Sequence, residues 1–142
     1  MKFKIATPER IMLETEVDSI TLPTTLGEIT ILENHIPLVA NLAPGEIKYK
    51  SENRENFFVV SSGVIEVKKN NQIVVLAESA EFGHEIDVER AEEARVAAKQ
   101  LMSESYKDDK SYADASAGVQ KHLVRLKVAH KHRTRKQPNI EN

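Results

Sequence analysis

Few residues in this 142-residue chain are equipped for chemistry, and their spacing argues against most of it. There is no cysteine, which removes thiolate nucleophiles, thiolate metal ligands and disulfides together. His35 stands beside a proline in His35-Ile36-Pro37, where a turn histidine is a far commoner occurrence than a general base. His122, His130 and His132 invite a metal reading. On a helix, however, 130 and 132 face different ways and 122 lies two turns from 130, so no metal site is expected. Ser61-Ser62-Gly63 reads as a tight turn rather than a nucleophile. A Gly-x-Ser-x-Gly elbow, His-Glu-x-x-His, a Walker loop and Gly-x-Gly-x-x-Gly are all missing. The expectation is a non-catalytic protein for which no motif demands a cofactor.

Charge is more informative than catalysis. The net charge of -2 conceals -8 over residues 1–114 and +6 over residues 115–142, so the two ends of the chain suit different partners. A basic tail of this kind could contact nucleic acid, as part of an adaptor built on a β-domain. Nucleic-acid binders usually interleave aromatics with their basic residues, and after Tyr112 this tail has none, so no nucleic acid is expected. No apolar run approaches the ~18 residues a membrane span needs, and Met1-Lys2-Phe3-Lys4-Ile5 lacks the core of a signal peptide. A soluble, cytoplasmic chain is the expectation.

Two kinds of element must carry these residues, and the hydrophobic period changes between them at Glu85-Ile86-Asp87. Before that point short β-branched runs alternate: Lys2 to Thr7, Ile11 to Glu14, Val17 to Leu22, Glu28 to Leu32, Leu38 to Leu42, Glu46 to Lys50, Phe57 to Val60, Val64 to Val67 and Ile73 to Ala77. Thr24-Thr25-Leu26-Gly27, Glu33-Asn34-His35, Ala43-Pro44-Gly45 and Asn70-Asn71 punctuate them as turns, with Ser51 to Asn56 as a polar loop. Strands at such spacing predict an antiparallel β-sandwich or flattened barrel over residues 1–85, its faces mostly aliphatic.

Residues 86–142 read as a second domain, an antiparallel helical hairpin with a basic C-terminal tail. Asp87 is a suitable N-cap for a helix running to about Ser103, with Ala91, Ala94, Ala98 and Leu101 as its apolar stripe. After a polar connector, Ser111-Tyr112-Ala113-Asp114 has capping-box spacing, and a second helix places Val119, Leu123 and Leu126 on one face to about Arg133. Lys121, Arg125 and Lys127 fall outside that face. A seam made mostly of alanine buries little area, which makes the hairpin a candidate moving part.

Several strings acquire meaning together. Gly27-Glu28-Ile29 is followed by His35-Ile36-Pro37-Leu38-Val39, Pro44-Gly45-Glu46-Ile47, Ser62-Gly63-Val64-Ile65-Glu66-Val67 and Val75-Leu76-Ala77; Ile86-Asp87-x-x-Arg90-Ala91 and Tyr112-Ala113-x-Ala115 come last. In this order and spacing the chain resembles, over nearly its whole length, the epsilon subunit of bacterial rotary (F-type) ATP synthases. Thr30 stands where that family usually has glycine, and Glu33-Asn34 replaces its usual Pro-Gly or Pro-Asn turn.

The resemblance implies a β-sandwich followed by a helical hairpin, in agreement with the periodicity. It also implies a non-catalytic rotor subunit of the central stalk, at the cytoplasmic face of the bacterial inner membrane and peripheral to it. Its partners would be the gamma subunit, the c-ring and the catalytic beta subunits. By family position Glu28 and His35 would meet the c-ring from neighbouring turns at one end of the sandwich, with neutral His35 as a donor. The hairpin would inhibit ATP hydrolysis, its contacts with acidic beta-subunit loops coming from Lys121, Arg125, Lys127, Lys131 and Arg133. In some relatives ATP binds the folded hairpin. Here Ile86, Asp87, Arg90 and Ala91 match the string, with Arg125 and Lys121 on the second helix, but Ala97 replaces an arginine of the strong binders. Any ATP binding is therefore expected to be weak and non-hydrolytic.

Overall fold

The computed structural model describes residues 1–104 and 108–136, the last five of these by backbone alone. The chain divides into two compact units, Met1–Phe82 and Gly83–Asn142.

In the first unit ten strands form one continuous, strongly curved sheet. They are β1 (Lys2–Ala6), β2 (Ile11–Glu16), β3 (Ser19–Thr24), β4 (Gly27–Ile31), β5 (Leu38–Leu42), β6 (Gly45–Ser51), β7 (Arg54–Val60), β8 (Gly63–Lys68), β9 (Gln72–Ala77) and β10 (Ala80–Phe82). Their order is β10-β7-β6-β3-β5-β8-β9-β1-β2, with β4 hydrogen-bonded to β3 alone. The sandwich expected from the alternation is present, with two differences. A tenth strand, only three residues long, pairs with β7. And β1 runs parallel to β9, because no hairpin links two strands so far apart in sequence and so none dictates their direction.

Period-two alternation fixes what goes inside. Phe3 and Ile5 of β1, Ile20 and Leu22 of β3, Ile65 and Val67 of β8, and Ile73 and Val75 of β9 are all buried in one core, while their sequence neighbours face outward. The core is mostly aliphatic, as the sequence suggests, with a few aromatic rings in it. Tyr49 lies 5.5 Å from Phe3 and 6.1 Å from Phe58 between ring centroids, and Phe58 lies 4.4 Å from Phe82, so aromatic rings run through it in line. Burial raises the Tyr49 phenol above its ordinary pKa. All four residues of Phe57-Phe58-Val59-Val60 are buried, as their unbroken apolar run predicts.

The turns follow residue chemistry. Asn70 and Asn71 both take positive φ, 70° and 55°, in the tight hairpin between β8 and β9. Between β6 and β7 the expected long polar loop is instead a two-residue turn of the same kind. Glu52 and Asn53 have φ of 51° and 62°, and Ser51 pairs directly with Arg54. Glutamate is a poor residue for left-handed backbone, which is why the sequence does not announce this turn. Gly63 is obligatory for a different reason: a Cβ there would run into the backbone of Leu76 and Ala77 on the adjacent strand.

The second unit opens with a 3₁₀ turn, Gly83–Glu85, followed by α1 (Val88–Glu104) and α2 (Asp109–Lys136). Asp87 caps α1 as expected, its Oδ1 accepting from the backbone N–H groups of Glu89 at 3.0 Å and Arg90 at 3.2 Å. For α2 the cap is Asp108, not Ser111. Lys110 N–H donates to Asp108 Oδ1 at 3.2 Å and the Ser111 hydroxyl to Oδ2 at 2.7 Å, because a carboxylate out-competes a hydroxyl for the cap position. These bonds hold the Asp108 carboxyl below its ordinary pKa, the Ser111 side chain contributing most. The seam of the hairpin is also shifted. Ala91 is fully buried and Ala94 and Ala98 half-buried, but Leu101 is 56% exposed and Met102 turns inward in its place. On α2 Leu123 is 47% exposed, and Ala115, Val119, His122, Leu126 and Ala129, each three or four residues from the last, form a covered stripe with the fully buried Val128 beside it. The helices approach closely at Gly118, where an added Cβ would stand 3.5 Å from the Ala98 Cβ.

Candidate interaction sites

Glu28 and His35 do not lie on neighbouring turns. Glu28 is the second residue of β4, opposite Pro23 beside the β3–β4 tip, and it is exposed with no ion pair among the described residues. His35 follows the other end of β4. Its turn is tied to the β8–β9 hairpin, with Asn34 N–H donating to Asn71 Oδ1 at 2.6 Å and Asn71 Nδ2 donating to Asn34 Oδ1 at 3.3 Å. Five residues of extended strand, about 3.3 Å each, separate the two ends. The His35 Nδ1 donates to the Ile36 carbonyl at 2.7 Å, so a neutral ring has only Nε2 left, as an acceptor and not as the expected donor. At the Glu28 end, a feature missed in the sequence is Leu26. It is 99% exposed on a turn held by the Thr24 hydroxyl, which accepts from Leu26 N–H at 3.2 Å and donates to the Gly27 carbonyl. The family departure at Thr30 has a local explanation: its hydroxyl lies 2.9 Å from that of Thr21, its cross-strand partner.

The Ile86-Asp87-x-x-Arg90-Ala91 string serves the start of α1. Asp87 caps it, Arg90 Nε lies 3.9 Å from Asp87 Oδ2 with its side chain 84% exposed, and Ala91 packs. Ile86 is half-buried. On α2, Arg125 is half-buried and donates through Nη1 to His122 Nδ1 at 2.9 Å, which makes His122 the acceptor. Lys121 is half-buried too, whereas Lys127 and Lys131 are exposed. Arg133 and His132 lie outside the described side chains. The expected division, with Lys121 and Arg125 on the outer face, therefore does not hold: both are half-buried beside the covered stripe.

The hairpin also contains charged groups that the apolar pattern hid. Arg95 Nη2 donates to Glu92 Oε1 at 2.6 Å and Nε to Oε2 at 3.3 Å, a bidentate pair one helical turn apart in which Arg95 is 29% exposed. The bond from Arg95 holds the Glu92 carboxyl below its ordinary pKa, with a smaller contribution from His130 on the facing helix. Arg95 follows Ala91 by four residues, so its helical spacing was the available signal. Among the described residues no three histidine, aspartate or glutamate side chains converge as metal ligands would.

Comparison with known proteins decides the family. Residues 1–83 match the family described as ATP synthase, Delta/Epsilon chain, beta-sandwich domain, and residues 84–130 match the one described as ATP synthase, Delta/Epsilon chain, long alpha-helix domain. The chain belongs to the ATP synthase delta/epsilon family. It is 41% identical over 140 residues to the ATP synthase epsilon chain of Dehalococcoides mccartyi, covering 99% of this chain and 98% of that one. It is 36% identical over 128 residues to the epsilon chain of Nitratidesulfovibrio vulgaris, covering 90% and 94%. Its fold matches a chain in the Euglena gracilis mitochondrial ATP synthase OSCP/F1/c-ring structure with a TM-score of 0.76 at 23% identity, over 90% of this chain and 79% of that one. As an epsilon chain it is a structural and regulatory subunit of an F-type ATP synthase and not its catalyst. No helix among the described residues is long and apolar enough to cross a membrane.

Proposed function

We propose that this epsilon chain is a rotor subunit that joins the catalytic head to the c-ring and restrains ATP hydrolysis through its helical hairpin. It would act at the cytoplasmic face of the bacterial plasma membrane, peripherally and only within the complex. The observation that carries the regulatory part is the character of the hairpin. It is a unit of its own, its helices meet at Gly118 and Ala98, and polar side chains of Glu92, Arg95, His122 and Arg125 are half-buried within it. Such a seam buries little aliphatic area, so its opening costs little and a partner can compete for its faces. Deleting residues from Ser111 onward should raise the ATPase activity of the soluble head while the remaining sandwich still binds gamma. Unchanged ATPase activity with gamma still bound would remove the brake from the proposal.

In the sandwich, the exposed Glu28, without an ion pair among the described residues and beside the exposed Leu26, is the contact proposed for basic loop residues of the c-ring. His35 belongs to a different edge, and its part in that contact is not retained. Replacing Glu28 by lysine should loosen the coupling of hydrolysis to proton pumping in membranes and leave the isolated subunit folded. Coupling equal to wild type would assign Glu28 to solvent.

A further inference from the structure

Four of the five histidines, His84, His122, His130 and His132, lie in the second unit, whose tail is already basic. One of them sits in the packing of the hairpin itself. His122 belongs to the covered stripe of α2 and accepts through Nδ1 from Arg125 Nη1 at 2.9 Å. A guanidinium has no acceptor, so this bond requires a neutral imidazole with its proton on Nε2. The register of the antiparallel helices follows from the contact of Gly118 with Ala98. One turn further along α2 is His122, and one turn back along α1 are Ala94 and Arg95, so the two turns lie level. The half-buried charges there are unbalanced. Lys121, Arg125 and Arg95 are the cations, and Glu92 is the one half-buried carboxylate of the hairpin among the described residues. Glu92 is already engaged by Arg95, through Nη2 at 2.6 Å and Nε at 3.3 Å. The other described charged groups of these elements are exposed. Among them His130 attracts Glu92 from α2, and on the 3₁₀ turn, which also packs against α2, His84 Nε2 lies 3.9 Å from Glu85 Oε1.

We propose that His122 is a pH-sensitive latch: neutral, it packs in the hairpin beneath Arg125, and protonated, it releases the two helices from each other. The inference rests on the brake reading and names the condition that frees the hairpin to act. Protonation removes the only acceptor that Nδ1 offers to Arg125 and adds a fourth half-buried cation against one carboxylate that is already paired. The Arg125 bond lies within α2, so the coupling to α1 runs through burial. A charged imidazole kept in the covered stripe is poorly hydrated beside Arg125 and Arg95, and separating the helices lets all three groups reach water. The proton is thus a ligand that binds the open hairpin better than the closed one. Histidine ordinarily titrates near pH ~6.5, so the closed hairpin is favoured in full above about pH 7.5 and loses this contribution as pH falls toward about 5.5. His130 acts in the opposite sense, since its proton strengthens the attraction to Glu92, but it is exposed and solvent screens it. A fall in pH therefore engages the brake on hydrolysis.

The test follows opening and inhibition separately, both with the full chain. Because the chain has no cysteine, Ala97→Cys and Gln120→Cys, at exposed positions on the two helices, carry a donor–acceptor dye pair without further change. Energy transfer in the free subunit should fall between about pH 8 and about pH 6, with the ratio of open to closed hairpin rising about tenfold or more, and inhibition of the soluble head should strengthen over the same range. His122→Gln keeps an acceptor for Arg125 and cannot titrate, so both responses should vanish in it, whereas His130→Gln should retain them. Circular dichroism checks that the helices are present in each variant. If both responses persist in folded His122→Gln, another group titrates and the inference fails while the brake stands. Energy transfer that does not change with pH in the wild type overturns it equally. Opening that depends on His122, with inhibition equal at both pH values, also overturns it, because opening then does not set the brake. If the wild type opens through His122 but inhibits the head at no pH, the latch stands and the brake reading fails.

Discussion

At the scale of single residues, the same side chain can serve helix capping or ligand binding, and geometry favours the first at Asp87. Its Oδ1 already accepts two backbone N–H groups, and Oδ2 faces Arg90, so neither residue stands ready for a nucleotide without local rearrangement. Ala97 is exposed on the same helix and offers no cation. A phosphate contact lacking one guanidinium forgoes a charge-assisted bond of about 1.5 to 3 kcal/mol, a ten- to hundredfold loss of affinity. ATP titration of the isolated subunit should therefore show weak binding, further weakened in Arg90→Ala and strengthened at least tenfold in Ala97→Arg. Tight binding by the wild type would show that the other cations suffice. No gain in Ala97→Arg would mean that the string only caps and packs α1.

At the scale of elements, Gly118 offers a direct handle on the hairpin. It lies in the interior of α2, where glycine is less favourable than alanine by roughly 0.5 to 1 kcal/mol, and an added methyl would meet the Ala98 Cβ at 3.5 Å, an ordinary contact distance. Gly118→Ala should thus stabilise the hairpin and, on the proposed mechanism, reduce inhibition of the head by keeping the helices together. Gly118→Leu should force them apart and lower helical content on heating. Equal melting and equal inhibition in both variants would show that this contact does not govern the hairpin. The sequence made the elements legible because strand and helix periods are strong signals. Nine strands, both helices and the Asp87 cap could be read from them. It failed where a residue broke its own preference or where the answer depended on distant pairing. Glu52 in left-handed backbone, the parallel β1–β9 pair, and a helical stripe turned far enough to expose Leu101 and Leu123 are of this kind. The candidate sites were less legible than the fold, because an exposed carboxylate such as Glu28 and a capping one such as Asp87 have the same sequence appearance.

At the scale of the whole molecule, the charge division is the property most open to test. The C-terminal 28 residues carry +6 against -8 before them, so the tail is suited to acidic surfaces that the rest of the chain would repel. The five basic residues proposed to meet the beta subunits are not equivalent, however. Lys121 and Arg125 are half-buried, and Arg125 is bonded to His122, so they also support the hairpin. Lys127 and Lys131 are exposed. Exposed pairs contribute only ~0 to 1 kcal/mol each, so inhibition by charge has to be collective. Neutralising Lys127, Lys131 and Arg133 together to glutamine should weaken inhibition of the head clearly, and more so at low salt, without altering the thermal melt of the free subunit. Any one of them alone should have little effect. Neutralising Lys121 and Arg125 should instead change the melt as well as the inhibition, because it removes a contact within α2. If the triple variant inhibits as strongly as wild type at every salt concentration, shape rather than charge holds the extended hairpin in the head.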